Sequence, residues 1–190
     1  MTRKIVAVLL SLIPTLALAN NFVIGQPLKP LSIADKGELL LSDDHISYRP
    51  WESQSLVGKV RIIQYIAGRS SAKKQNGDMI KAVKAANLPT ADFQPVTIVN
   101  ADDELFGTGL FVQGKIEKNQ RKYPWAQFII DNDGRGKALW QLPPATSTII
   151  VTDEQGNVQW EKDGPMTDDQ VNHVIQLLRE LIAKAAHSRS

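Results

Sequence analysis

Residues 62–75, IIQYIAGRSSAKKQ, run from an unbroken apolar stretch through a glycine into a charged, serine-led segment. Together with the preceding residues, Val60 to Ile66 forms a nearly continuous β-branched run, the pattern of a strand buried on both faces of a sheet. Ser70 or Ser71 is placed to cap a following helix, since a serine oxygen accepts an unpaired amide of the first turn. That helix is expected to reach about Asn87 and to stop at Leu88–Pro89. Met79, Ile80, Val83 and Ala86 mark its apolar stripe, and Asn76–Gly77 is a weak point inside it.

Working outward, VTIVN (Val96–Asn100) predicts the next buried strand. An acidic loop, Ala101–Glu104, leads to a helix over Gly109–Lys122. Two similar units follow, FIIDNDGRGKALW and TIIVTDEQGNVQW. Each is an apolar strand, an acidic turn with glycine, and a tryptophan, and both read as strand-turn-strand. The last helix has the clearest signature: Thr167 and Gln170 make a capping box. Val171, Val174, Ile175, Leu178, Leu181 and Ile182 then recur at helical spacing. Toward the amino terminus, Leu31–Ile33 and Glu38–Leu41 are expected to pair as a hairpin about Asp35-Lys36-Gly37. Asp43, Asp44, His45 and Pro50–Trp51 fall in a loop.

The first 19 residues read as a cleavable secretory leader. Arg3 and Lys4 precede the apolar run Ile5–Ile13, Pro14 ends it, and Ala17–Ala19 supplies small residues before Asn20. The run is shorter than the roughly 20 residues of a membrane span. The chain carries 22 basic and 20 acidic side chains. Since the leader holds two of the basic ones and none of the acidic, the mature chain is neutral. Without a concentrated positive field there is no case for a nucleic-acid partner. With no cysteine at all, an exported domain of this size must be held by packing alone.

The order strand, helix, strand, helix, hairpin, helix resembles a thioredoxin-like domain. The added amino-terminal hairpin and the strand inserted before the final hairpin are similar to the TlpA and peroxiredoxin branch. KALWQL and IIVTDEQGNV resemble segments of those proteins. LVGKVR, IAGRSSAK, TIVN, YPWAQFI, ALWQL and VQWEKDG together resemble the YtfJ family of small exported bacterial proteins. The resemblance implies an α/β, three-layer thioredoxin-like sandwich with a central mixed sheet. It also implies a leader (residues 1–19), a hairpin extension (20–58), the core (59–185) and a flexible tail (186–190).

Laid over the redox motif of such proteins, AGRSSAK puts Ser70 at the nucleophile position and Lys73 at the resolving position. Ser147 falls where a cis-proline stands in active relatives. Thiol exchange needs a thiolate and a second thiol, so this chain alone cannot perform it. The resemblance implies instead a periplasmic protein that binds a peptide or protein partner in the former active-site groove, at Arg69, Ser70, Lys73 and Ser147. Arg69 and Lys73 would favour an anionic group beside the helix start.

Two alternatives use other features. Ser70 could act as an oxygen nucleophile, though His45, His173 and His187 are poorly placed to serve it. Trp51, Trp125, Trp140 and Trp160 could line a small-molecule carrier, with Trp140 and Trp160 as a shared wall; packing in the core explains them as well. DNDG (Asp131–Gly134) lacks the later ligands of a calcium loop, since Arg135 and Leu142 stand at its fifth and twelfth positions. It reads as a tight turn, and ADDE (Ala101–Glu104) as a solvated loop. No metal, no cofactor and no membrane span in the mature chain are expected.

Overall fold

The computed structural model describes residues 20–104 and 109–188, and the side chains of all of these except 109–111. The expected leader (1–19) and the last two residues of the expected tail lie outside the described residues. Strands β1 (Ser32–Ser42), β2 (His45–Glu52), β3 (Val60–Ala67), β4 (Phe93–Asn100), β5 (Gln127–Asp131), β6 (Ser147–Thr152) and β7 (Val158–Asp163) form one sheet. Their order across it is β2-β1-β5-β4-β3-β6-β7. β3, β4 and β5 run parallel, and the remaining pairs are antiparallel. Every residue of β3 is buried, as its unbroken apolar run predicts.

Helices α1 (Ser70–Gln75), α2 (Gly77–Ala85), α3 (Gly109–Lys122), α4 (Arg135–Trp140) and α5 (Asp168–Ser188) complete the fold. Alternation along β3 divides the interior. Ile63 and Tyr65 face a cluster with Trp51, Trp140 and the segment around Leu31. Ile62 and Ile66 face the other side, which α1, α2, α3 and α5 cover. There Val60 and Ile62 join α2 and α5 in one cluster. Ile66 joins α1, α3 and β5 in a separate one. The result is a three-layer α/β sandwich. The Thr167–Gln170 capping box forms as expected, with Thr167 N–H donating to Gln170 Oε1 at 3.0 Å and Gln170 N–H to Thr167 Oγ1 at 3.3 Å. The helix it starts continues through Ser188, past the expected end of the core.

Three local expectations are corrected. Asp35-Lys36-Gly37 does not turn a hairpin; it is a bulge inside β1, where the register with β2 shifts between Ile33 and Glu38. Lys36 and Gly37 have positive φ (58° and 70°), so the turn chemistry is genuine but bends a continuing strand. A Cβ on Gly37 would lie 2.2 Å from the Arg49 carbonyl oxygen. The hairpin instead reverses at Asp43–Asp44, with φ of 48° and 62°, the signature of a two-residue primed turn. Pro50 is tolerated in β2 because that strand is an edge.

The second correction concerns FIIDNDGRGKALW, which is strand-turn-helix. Asp131 ends β5 and its carboxylate accepts the amides of Arg135 (2.9 Å) and Gly136 (2.7 Å), starting α4 where a second strand was expected. In the third, Ser70 and Ser71 do not cap α1. Arg69 is the extended residue before it, and no side chain makes a cap hydrogen bond. The weak point at Asn76–Gly77 is a true break that divides the expected helix into α1 and α2.

Candidate functional site

β3 ends at Ala67, and the amide of the next residue, Gly68, donates to Asn100 O on the neighbouring strand at 2.9 Å. A Cβ here would meet Asn100 O and the Glu104 Cβ at 3.0 Å, so a larger residue would press on the neighbouring strand and the 101–104 loop. Arg69 then turns back over the 101–104 loop. Its guanidinium donates to the Asp103 carbonyl (2.8 Å) and carboxylate (2.5 Å). Asp103 also accepts the Ala145 amide at 2.6 Å and has Lys137 Nζ at 3.7 Å. Far from being a solvated acid, Asp103 is buried and joins three segments.

Ser147 does lie beside this junction, but it is 0 % exposed. Its amide donates to Gln75 Oε1 at 3.0 Å. Its hydroxyl accepts from Gln64 Nε2 (3.0 Å) and Asn76 Nδ2 (3.1 Å). Its carbonyl accepts from the Gly164 amide at 2.9 Å and from Asn76 at 3.3 Å. The preceding carbonyl, of Thr146, accepts the Ala67 amide at 2.9 Å. No cis peptide bond occurs among the described residues, so the bond before Ser147 is trans. The polar groups that an extended peptide would use along this segment are therefore engaged within the chain. Asn76 explains the helix break: its buried amide leaves the helical path to reach Ser147.

What remains open lies next to that segment. Between α1–α2 and α3, above β3, β4 and β5, is a cleft of about 440 Å³. It separates the two apolar clusters on this face. Ile62, Gln64 and Ile66 of β3 and Pro95, Thr97 and Val99 of β4 form its floor; Ile80 and Val83 of α2 face Val112 and Ile116 of α3 and Tyr123 just past its end. Arg69, Ser70 and Lys73 line it too; Ser147 does not. Three of the four expected residues thus stand at one opening, while the fourth is packed behind Gln64.

The cleft is electrostatically one-sided. Arg69, Lys73, Lys81, Lys84 and Lys115 line it, with no acid among the described lining residues. Lys84 of α2 closes one end by donating to the Tyr123 hydroxyl at 3.0 Å, with its ammonium 4.2 Å from the centre of the ring. That hydrogen bond holds the Tyr123 phenol below its ordinary pKa. Tyr123 in turn meets Trp125 edge to face, the ring centres 6.3 Å apart. Among the tryptophans only Trp125, 41 % exposed, reaches the cleft. Trp140 packs with Trp51 on one side of the sheet and Trp160 packs near α5 on the other, so there is no shared tryptophan wall. No histidine lines the cleft, which leaves Ser70 without an imidazole base there.

The amino-terminal hairpin holds α3 in place. Tyr48 of β2 donates to Glu117 at 2.6 Å, and Lys36 of β1 donates to Gln113 at 2.6 Å. Arg121 donates to Asp44 at 3.0 Å. The Tyr48 hydrogen bond, with a second from Gln113, pulls the Glu117 carboxyl below its ordinary pKa of 4.5. An acid depressed in the folded state stabilises it fully above the ordinary value and loses that contribution as pH falls through the lower, native one. The melting temperature should therefore fall more steeply below about pH 4.5 in the wild type than in Glu117→Gln, when both are followed from roughly pH 6 to 3. Parallel curves would show that the strap carries no charge-dependent stability.

The family model described as "Bacterial protein of unknown function (YtfJ_HI0045)" matches residues 22–181. The "Uncharacterized protein YtfJ" of Escherichia coli (strain K12) is 47 % identical over 180 residues, covering 95 % of this chain and 98 % of its own. The chain belongs to the YtfJ family. A Haemophilus influenzae relative, an uncharacterized protein, is 36 % identical over 163 residues, covering 86 % of this chain and 89 % of its own.

Among solved structures, the thioredoxin domain of a thiol-disulfide oxidoreductase from Bacteroides vulgatus aligns with a TM-score of 0.56 at 13 % identity, covering 83 % of this chain and 99 % of that one. A thiol-disulfide isomerase from Corynebacterium glutamicum aligns with a TM-score of 0.52 at 16 % identity, covering 76 % and 96 %. The fold is thioredoxin-like, and this member of the YtfJ family has no cysteine with which to run the chemistry named for those proteins. Gln75, Lys84 and Tyr123 were not singled out from sequence, Asn76 was read only as a weak point in a helix, and Asp103 only as part of a solvated loop. Each acts through partners distant in the chain, and no local motif marks them.

Proposed function

We propose that this YtfJ-family protein is exported to the periplasm, loses its leader before Asn20, and works as a redox-inactive binding protein whose ligand occupies the cleft between α2 and α3. The cleft itself carries this reading: its about 440 Å³ falls within the ~300–1,000 Å³ typical of ligand sites. Its lining is mainly apolar, and its mouth is the junction where active thioredoxin-like proteins keep their thiols. Recognition thus moves from main-chain pairing at Ser147 to enclosure of an apolar body. Asn20 would begin the mature chain already anchored, its side-chain amide donating to Glu161 at 2.6 Å and Asp163 at 3.0 Å.

The mature form, isolated from the periplasm and beginning at Asn20, should bind the neutral fluorophore N-phenyl-1-naphthylamine with one-to-one stoichiometry. Thr97→Trp places an indole on the half-buried floor and Val112→Trp places one on the α3 wall. Each should weaken that binding by about tenfold or more, since the apolar area available to the ligand is lost. Saturable binding that both substitutions leave intact would put the fluorophore elsewhere, and no saturable binding at all would reject the cleft as a site.

A further inference from the structure

We infer that the cleft takes a single-tailed anionic amphiphile of the fatty-acid class, with the tail between α2 and α3 and the head group on Lys73. The inference rests on the binding reading above and gives it a ligand class.

Charge complementarity selects the head. Five cations and no acid line the cleft among the described residues. Most of these cations already have partners: Arg69 has Asp103, Lys81 has Asp78, and Lys84 has Tyr123. Lys73 is exposed and makes no side-chain hydrogen bond or ion pair with any described residue. It stands at the opening, where a carboxylate can meet an ammonium while both keep water. That avoids the several-kilocalorie penalty of burying a charge.

The walls select the tail. Ile66, Ile116 and Phe128 are buried around the cleft, and its floor offers few polar groups, chiefly Gln64 and Thr97. A peptide backbone would lose hydrogen bonds to water without replacing them. An alkyl chain loses none and gains by leaving water. One trough between two helices admits one tail.

Displacement of N-phenyl-1-naphthylamine by decanoate, decanol and decyltrimethylammonium, each below its micellar concentration, separates the head from the tail. Decanoate should bind about five- to tenfold more tightly than decanol at low salt, with the cationic analogue weakest. The preference should shrink as salt is raised, because the head stays near solvent. Lys73→Glu, a change at an exposed site, should weaken decanoate by about tenfold and leave decanol unchanged. Equal affinity for decanoate and decanol would overturn the anionic assignment while the cleft reading stands. Tighter decanoate binding that Lys73→Glu does not alter would overturn the placement of the head. A fluorophore that does not bind at all would remove both the class and the cleft.

Discussion

Asp131→Ala should destabilise the protein by about 3 kcal/mol or more, because it strands several buried or partly buried donors at once. The carboxylate is fully enclosed. It accepts the Tyr65 hydroxyl at 2.7 Å and the Gly136 amide at 2.7 Å through one oxygen, and the Arg135 amide at 2.9 Å through the other. Burial and the neighbouring carboxylate push the Tyr65 phenol well above its ordinary pKa, so the hydroxyl stays a donor throughout the usual range. Alanine leaves that donor without an acceptor and removes the anion that opens α4. Relaxation is limited on this side: a Cβ at Gly136 would lie 2.5 Å from the Tyr65 ring. For a chain of this size the loss corresponds to roughly 6–12 °C in melting temperature, measurable by urea unfolding or calorimetry. Asp133→Ala, at an exposed acid of the same turn, is the control and should change stability by less than about 0.5 kcal/mol. Equal effects at the two positions would mean that Asp131 does not hold this corner together.

Trp140→Ala should cost about 3–5 kcal/mol, the range for emptying a buried tryptophan site. The indole is 0 % exposed; its ring centre lies 6.0 Å from that of Tyr65 and 5.8 Å from that of Phe22. Its Nε1 donates to Lys29 O at 3.0 Å, and its carbonyl accepts the Asn21 amide at 3.2 Å. The substitution therefore opens a cavity and loosens the segment from Asn21 to Lys29. Denaturant unfolding should show the loss of stability, and limited proteolysis should trim that segment first. Trp125→Ala, at an exposed ring, should leave unfolding nearly unchanged and alter only fluorophore binding at the cleft. A stable Trp140→Ala variant with a protease-resistant start would contradict this account of the packing.

The parts of the fold that were legible in the sequence are those whose signals are local. The apolar run of β3 and the Thr167–Gln170 box with its periodic stripe specify their elements without reference to anything distant. The family resemblance supplied their order. Signals with two structural meanings misled: Asp35-Lys36-Gly37 supplies positive φ, which suits a hairpin turn and a bulge equally. GRGKALW resembles the start of a second strand until Asp131, four residues before Arg135, is seen to cap a helix.

The candidate site was legible only in part. Arg69, Ser70 and Lys73 followed from the strand-to-helix junction, and they do line one opening. Ser147 was placed near the right neighbours, but its burial depends on Gln64, Gln75 and Asn76, whose aim is set by tertiary packing. The space between α2 and α3 has no sequence signature, because no residue pattern encodes where side chains fail to meet.

That division of the helical face gives the protein a seam. α3 is fastened to the β1–β2 hairpin and packs through Ile116 on Ile66 and Phe128, whereas α2 belongs to the cluster beneath α5; Lys84 on Tyr123, just past the end of α3, bridges the two. A fluctuation along the seam breaks few apolar contacts and leaves the seven-stranded sheet intact, so it requires much less free energy than global unfolding. A ligand of the proposed kind would then come and go through local breathing of one helical flank, on a schedule independent of how firmly the rest of the molecule is folded.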